Sequence, residues 1–372
     1  MNFSYWEHKT WLSAIDFTIV GSGIVGLNCA LYLKERFPKA KILILEKGML
    51  PQGASTKNAG FACFGSISEI VSDLDSHTEE EVVELVQKRL DGINLLRSNL
   101  GDKAIGYKNY GGHELFLDSN STLYQHYLSK LSGVNTLLNS VFKGDAFVST
   151  QNKFNFNKIQ KNYITHIFEA QIDTGKMMQS LLAKVIQKGI LILNNTSVKA
   201  FTTTANGVAV ETSNFTLQTK KLVVATNGFA AELLQEKVKP ARAQVLVTSP
   251  IPNLHIKGTF HLDEGYYYFR NIDNRILFGG GRNLDFKAEE TLVFGETEIV
   301  QQKLEEILRE TILPNTPFKI DKKWSGIMGV GSQKNPIIKE VEPNVYCGVR
   351  LGGMGIAIGS LVGKELADKV VW

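Results

Sequence analysis

Three glycines at positions 21, 23 and 26, in G-x-G-x-x-G spacing, and a glutamate at position 46 form the first set of residues able to do chemistry together. Gly21 permits a tight turn, Gly23 lets the backbone approach a pyrophosphate, and Gly26 lets a helix pack closely on a strand. Ser22, Ile24 and Val25, interleaved with these glycines, belong to the same helix start, where free N–H groups and the positive end of the helix dipole favour phosphate. Glu46 follows Gly26 by roughly 20 residues, the usual distance to an acid that accepts hydrogen bonds from an adenosine ribose. Its carboxylate disfavours a 2′-phosphate, and Lys47 next to it is counted with the cofactor-binding residues. The alternative is a glycine-rich turn that binds nothing. The ordered context of strand, glycines, helix, strand and acid favours a dinucleotide, without deciding between FAD and NAD.

A second glycine run, Gly352-Gly353-Met354-Gly355, opens a final helix from Ile356 to Lys369 and offers another positive dipole end. Arg350 precedes that run, and Arg282 follows three glycines at a strand end. Either could clamp a carboxylate through its planar fork, or serve as a surface or domain-bridging residue. Tyr266 and Tyr268 share one face of a strand, with Tyr267 and Phe269 on the other. One pair belongs in the core, and the other can line a cavity with a hydroxyl free for a ligand. His113, after a Gly-Gly turn, and Cys63, without a neighbouring cysteine, read as structural. No metal-ligand set and no Ser-His-Asp constellation is evident.

The elements that must position these residues follow from periodicity. Ile15–Val20 and Lys41–Leu45 are apolar, β-branched runs suited to strands buried on both faces, with a helix from Ile24 to Phe37 between them. The connection Gly48–Ser66 is too long and too rich in small residues to be a simple turn, and its interleaved Phe61, Ala62 and Phe64 argue against disorder. Thr78–Asn99 reads as an amphipathic helix with a Thr78/Glu81 capping box. Strand-like segments are expected at Ile105–Leu117 and Thr165–Ile172. Helices are expected at Ser121–Ser132, Thr174–Lys188 and Glu296–Glu310. Gly189–Leu193 is another buried strand, and a hairpin is expected over Val198–Thr204 and Gly207–Thr212. The run Leu222–Gly228 is a buried strand ending in small residues, a shape that can approach a cofactor. A series of antiparallel strands then covers Ala243–Ser249, Thr259–Leu262, Gly265–Arg270 and Arg275–Gly280. More strands follow at Lys323–Gly331, Pro336–Lys339 and Val345–Val349.

This alternation predicts an α/β protein with a Rossmann-type cofactor domain assembled from residues 1–76, 162–235 and 323–372. Residues 77–161 and 236–322 form a second, α+β domain built on an antiparallel sheet that holds the substrate. The 372 residues are 43% hydrophobic and 21% charged, ordinary for a globular protein with ample core. A formal charge of +4 without clustered Lys and Arg gives no reason to expect a nucleic-acid partner. Three cysteines make no disulfide framework. The amino terminus does not read as a secretory signal, no apolar run reaches membrane-spanning length, and a reduced, cytoplasmic setting is expected.

Several motifs taken together resemble the D-amino-acid-oxidase-like family of FAD-dependent oxidoreductases, with glycine oxidase and sarcosine oxidase as members. They are the amino-terminal motif ending in Glu46, the loop Ser55-Thr56-Lys57-Asn58-Ala59-Gly60-Phe61, and Val224-Ala225-Thr226-Asn227-Gly228. Phe278-Gly279-Gly280-Gly281-Arg282, Trp324-Ser325-Gly326 and the carboxyl-terminal glycine run complete the set. The resemblance implies FAD rather than NAD. It places the Ser55–Phe61 loop beside the ribityl chain and flavin, Val198 at the adenine, and Ala225–Gly228 by the pyrophosphate. Gly326, Met328 and Gly352–Ile356 fall near the flavin. A lysine that meets the substrate carboxylate in sarcosine oxidases is replaced by Ala357, and the arginine of glycine oxidase by Met328. Gly329 stands where sarcosine oxidase attaches its flavin covalently. Non-covalent FAD is therefore expected, with a substrate anchor drawn from elsewhere. The implied activity is oxidation of a small amine or amino acid by hydride transfer to flavin N5, with oxygen or a respiratory carrier as electron acceptor. Alternatives are a 2-hydroxy acid dehydrogenase, which would want a histidine near the flavin where the sequence places none, and a non-catalytic FAD-binding subunit. The oligomeric state is not legible.

Overall fold

The computed structural model describes residues 2–371 and shows a mixed α/β fold built on two large sheets. The chain starts with β1 (Ile15–Val20), α1 (Ile24–Arg36) and β2 (Ile42–Leu45), then α2 (Ile67–Leu74) and α3 (Glu79–Leu100). There follow β3 (Gly112–Leu115), α4 (Ser121–Phe142), β4 (Phe147–Gln151), β5 (Asn162–His166), α5 (Thr174–Gln187) and β6 (Leu191–Leu193). The strands β7 (Val198–Thr204), β8 (Gly207–Thr212) and β9 (Thr216–Val224) come next. After them lie β10 (Lys239–Thr248), β11 (Thr259–Leu262), β12 (Tyr267–Ile272), β13 (Arg275–Gly280) and α6 (Glu298–Ile307). The chain closes with β14 (Ile320–Val330), β15 (Ile337–Glu342), β16 (Val345–Val349) and α7 (Gly355–Lys369).

The first sheet has the order β15-β16-β9-β1-β2-β6, with the β7–β8 hairpin joined to β9. Its centre is parallel: β1 pairs with both β2 and β9, and β9 with β16. This is why Ile15–Val20 and Ile42–Leu45 read as nearly continuous apolar runs: helices cover one face, and the β7–β8 hairpin with the 229–238 segment covers the other. Helix α1 packs against α7 so closely that a Cβ on Gly363 would lie 2.8 Å from the Val25 carbonyl oxygen.

The second sheet has the order β14-β10-β13-β12-β11-β3-β5-β4. It is antiparallel except that β3 and β11 run parallel, which no local signal in either strand announces. The expected boundary at 322/323 falls inside one of its strands, and the one at 161/162 puts another of its strands in the first unit. Residues 162–166 form β5 and residues 320–330 form β14, both hydrogen-bonded into this sheet rather than the first. Helix α3 in turn lies against α7 of the first unit, with a Cβ on Gly92 only 2.0 Å from the Ala357 carbonyl oxygen. Long-range pairing rather than sequence neighbourhood decides these memberships.

Local signals fared better at helix ends. The Thr78 hydroxyl accepts from Glu81 N, and the Glu81 carboxylate accepts from Thr78 N, a reciprocal cap worth about 1 kcal/mol. Helix α4 outruns its expected end at Ser132 and stops at Phe142, where Lys143 takes a left-handed conformation. Of the expected strand Ile105–Leu117 only Gly112–Leu115 is extended, because Asp102–Ile105 is a short helix closed by left-handed Gly106.

Candidate active site

The carboxyl ends of β1 and β9, the amino ends of α1 and α7, the 53–61 loop and one face of the second sheet enclose a cavity of about 740 Å³. That is within the usual range for a cofactor or ligand site. The end nearest α1 is built from backbone. A Cβ on Gly21 would lie 2.8 Å from the Ala225 carbonyl oxygen, and one on Gly26 2.1 Å from the Gly21 carbonyl oxygen. Strand, turn, helix and β9 thus meet with no space for side chains. The residues preceding α1 and α7, Gly23 and Met354, supply no side-chain cap. Ser55 reaches across from the loop instead, its Oγ accepting from Ile24 N at 2.9 Å.

Glu46 is buried at the cavity wall, and it holds the protein as well as facing the cavity. Its Oε2 accepts from Ser22 N at 3.0 Å and Ser22 Oγ at 2.7 Å, and its Oε1 from Gly48 N at 3.0 Å. A carboxylate has about four lone-pair sites, and the fourth is taken by a long contact from Gln52 N to Oε1 at 3.4 Å, the bond that a ribose hydroxyl would displace. Thr226, also on the wall, has a buried hydroxyl with no partner. These features fit FAD: two helix starts without a cap from the preceding residue, a glycine cradle, a buried acid with one weakly held acceptor site and an orphaned hydroxyl, along one cavity.

Gly21, Gly23, Ile24, Val25, Glu46 and Lys47 line the cavity, as do Ser55 and Lys57 to Phe61. So do Val198, Ala225, Thr226, Asn227, Gly326, Met328 and Gly352 to Ile356. Four expected cofactor residues do not. Ser22 turns into Glu46, Thr56 donates to the Pro51 carbonyl, Gly26 lies beneath Gly21, and Gly228 is wedged against the Met328 carbonyl.

The other end of the cavity is lined by side chains. Arg282, Tyr266 and Tyr268 are there, with His261, Glu264, Glu69 and Lys334, which sequence reasoning did not single out. Tyr267 and Phe269 are the core pair, and Tyr268 packs edge-on to Phe61 with ring centroids 5.8 Å apart. Burial pushes the Tyr268 hydroxyl up to about 12, keeping it a neutral donor. Tyr266 lies just before β12, is 42% exposed, and meets the exposed Phe286. The Arg282 guanidinium stacks over Phe286 at 5.0 Å and makes no ion pair with any described residue. Arg350 is excluded from the cavity: its guanidinium donates to the Asn335 carbonyl at 2.9 and 3.2 Å, and its backbone takes φ 66°. A place beside the glycine run in sequence did not set its side-chain direction.

Glu69 accepts from Arg89 and from Lys334, which also pairs with Asp73 at 2.6 Å. Burial opposes the Glu69 charge, but the two cations hold its carboxyl down to about 2. Behind this wall Glu114 accepts from Ser68 N and Ser68 Oγ, and Glu169 from Phe64 N and Gly65 N. Burial pushes both carboxyls up to about 7. His261 is pulled down to about 4 by burial, so its imidazole is neutral near pH 7. Among the described residues no cluster of three or more His, Cys, Asp or Glu could hold a metal, and no helix is long and apolar enough to cross a membrane.

The family model for FAD-dependent oxidoreductases matches residues 16–369. The chain is 22% identical over 437 residues to "Probable oxidoreductase OrdL" of Haemophilus influenzae, covering 100% of this chain and 90% of that one. It is 24% identical over 275 residues to glycine oxidase of Geobacillus kaustophilus, covering 71% and 69%. The crystal structure of glycine oxidase from Bacillus cereus has the same fold, with a TM-score of 0.76 at 16% identity over 95% of this chain and 96% of that one. The chain belongs to the family of FAD-dependent oxidoreductases, with FAD as its cofactor.

Proposed function

We propose that the protein oxidises a small amine or amino acid, with a C–H of the substrate held against flavin N5. The observation that carries this reading is the polarity of the cavity. One end is a backbone cradle for FAD, and the other carries a cation without an ion-pair partner, Arg282, beside two tyrosines. The glycine oxidase relative supports an amino-acid substrate. When bound, FAD supplies the hydride acceptor. The protein binds and orients the substrate and excludes water. Glu46 would hold the ribose, and the starts of α1 and α7 would face the pyrophosphate and the flavin. The Arg282 fork would take a substrate carboxylate, which would otherwise be costly to bury. With Met328 and Ala357 at the family's familiar anchor positions, charge has to come from such a residue. FAD is held without a covalent bond, and acid should release it into the supernatant of a denatured sample.

One observation favours a second reading. His261, a neutral imidazole on the cavity wall, could act as the base that a 2-hydroxy acid dehydrogenase requires. An anaerobic flavin-bleaching screen separates the possibilities. Bleaching by amines or amino acids supports the main reading, and bleaching by hydroxy acids alone replaces it with the second. No bleaching by any of the three classes leaves a flavin-binding subunit. Repeating the positive reaction in air, and with an artificial carrier, distinguishes oxygen from a respiratory carrier as electron acceptor.

A further inference from the structure

Four arginines among the described residues are buried: Arg89, Arg242, Arg270 and Arg350. Arg89 donates to Glu69 and to the Phe64 carbonyl, Arg242 grips Glu289 with two bonds of 2.8 and 2.9 Å, and Arg350 donates to Asn335. Arg270 is only 2% exposed, yet its guanidinium forms no ion pair and no hydrogen bond with any described residue, and its Nε is enclosed without a partner. The acids that act on it, Asp173 and Asp273, do so from beyond ion-pair distance. Asp173 is already engaged, capping α5 through Lys176 N.

Its surroundings make the charge more unusual. Arg270 stands two residues from Tyr268 and two from Ile272 along β12, so the three share a face. That face packs into an apolar cluster with Ala59, Phe61 and Leu277, and Leu277 is the cross-strand neighbour of Arg270. A methionine or leucine would suit such a place, and a buried charge without a partner is costly. Burial lowers its affinity for a proton, but only to about 10, so it is charged near pH 7.

The position explains what the charge can do. Ala59, Gly60 and Phe61 line the cavity, and a Cβ on Gly60 would fall 3.0 Å from Arg270 Nη2. Where Gly60 stands, therefore, a wall one backbone thick lies between the guanidinium and the cavity. A paired arginine would cancel much of its own field. An unpaired one in dry surroundings projects it, with no reorganisation needed during reaction.

We propose that Arg270 is a positioning cation for the redox step, held unpaired behind Gly60 to stabilise the negative charge that the cavity gains on hydride transfer. The hydride brings two electrons and one proton, the oxidised substrate leaves carrying the balancing positive charge or loses it as a proton, and the extra negative charge stays with the reduced cofactor. This rests on the reading that the 59–61 segment borders the flavin.

The test is the two-electron midpoint potential of the FAD-bound protein, by equilibration with redox dyes, in wild type and in the R270Q, R270M and R270K variants. Loss of the charge should lower the reduced-to-oxidised ratio at a fixed potential about tenfold, a shift of about 30 mV to lower potential for a two-electron couple. R270K should fall between these variants and wild type. Because R270M suits its apolar neighbours, its FAD-free form should melt no lower than wild type, and R270M keeps the test open if R270Q fails to fold. Equal potentials in wild type and in the charge-free variants, with FAD still bound, overturn the proposal alone. A wild-type protein that binds no FAD overturns the underlying reading.

Discussion

The two ends of the cavity are made of different material. The cofactor end is a surface of main chain, where glycines at 21, 23 and 26 bring strand, turn and helix into contact. The substrate end is a surface of side chains, drawn from α2, the turn before β12, the end of β13 and the loop after β14. A wall of backbone leaves little freedom: its shape is set by where a Cβ is absent, and a single methyl group spoils it. A side-chain wall is set by burial and mutual charge, as in the Glu69, Arg89 and Lys334 group, and can be retuned one residue at a time. The cofactor end should therefore fail abruptly and the substrate end by degrees.

The sharpest way to break this contrast is Gly26→Ala. The new methyl group would meet a carbonyl oxygen rather than a flexible side chain, so roughly 3 kcal/mol or more of stability should be lost. The purified variant should carry little FAD, and a yellow protein of unchanged Tm would show that the cradle has slack. Glu46→Ala comes next. It removes the acceptor proposed for the FAD ribose and also strands Ser22 N and Gly48 N. FAD affinity should fall by about 1–3 kcal/mol in a titration of the apoprotein. Unchanged affinity would mean that the carboxylate serves only the protein.

At the substrate end, Arg282→Met should leave the flavin spectrum intact and raise KM for a carboxylate substrate roughly tenfold, about 1.4 kcal/mol. If KM does not move, the substrate carries no carboxylate there, and Tyr266 and Tyr268 become the residues to substitute for an uncharged or cationic amine. The smallest effect is one of pH. Burial raises the Glu114 carboxyl from its ordinary 4.5 to about 7. The folded state then binds more protons than the unfolded one between these values, and stability from this group is lost as pH rises through about 7. His113, His166 and His261, all lowered by burial, act in the opposite sense below 6.5. The informative quantity is therefore the difference between Glu114→Gln and wild type. The variant should melt about 2–4 °C higher at pH 8 and at the same temperature near pH 5. An equal difference at both pH values would show that the carboxyl is not protonated in the folded protein.

The same contrast explains what could be read from the sequence. The cradle is a local pattern, and Gly21 to Gly26 with Glu46 carries its own context within one βαβ unit. His261, Glu69 and Lys334 lie far apart along the chain and meet only through the pairing of β11 with β3 and β12 and the placement of α2, which no short pattern records. Tyr268 was legible because a strand alternates. Arg350 was misjudged because a residue at positive φ sends its side chain where sequence spacing does not point, here to the Asn335 carbonyl.

The interleaving of the first sheet bears on how the protein is made. Strand β1 is synthesised well before β16, the neighbour of its partner β9, and before α7, which packs on α1. Until β16 is made, Leu222–Val224 of β9 present an unpaired apolar edge, the kind of surface that draws other chains. Truncations that remove β16 should therefore lower soluble yield in the cell, and truncations within α7 after Ile356, which keep every cavity residue but uncover α1, should do so to a smaller extent.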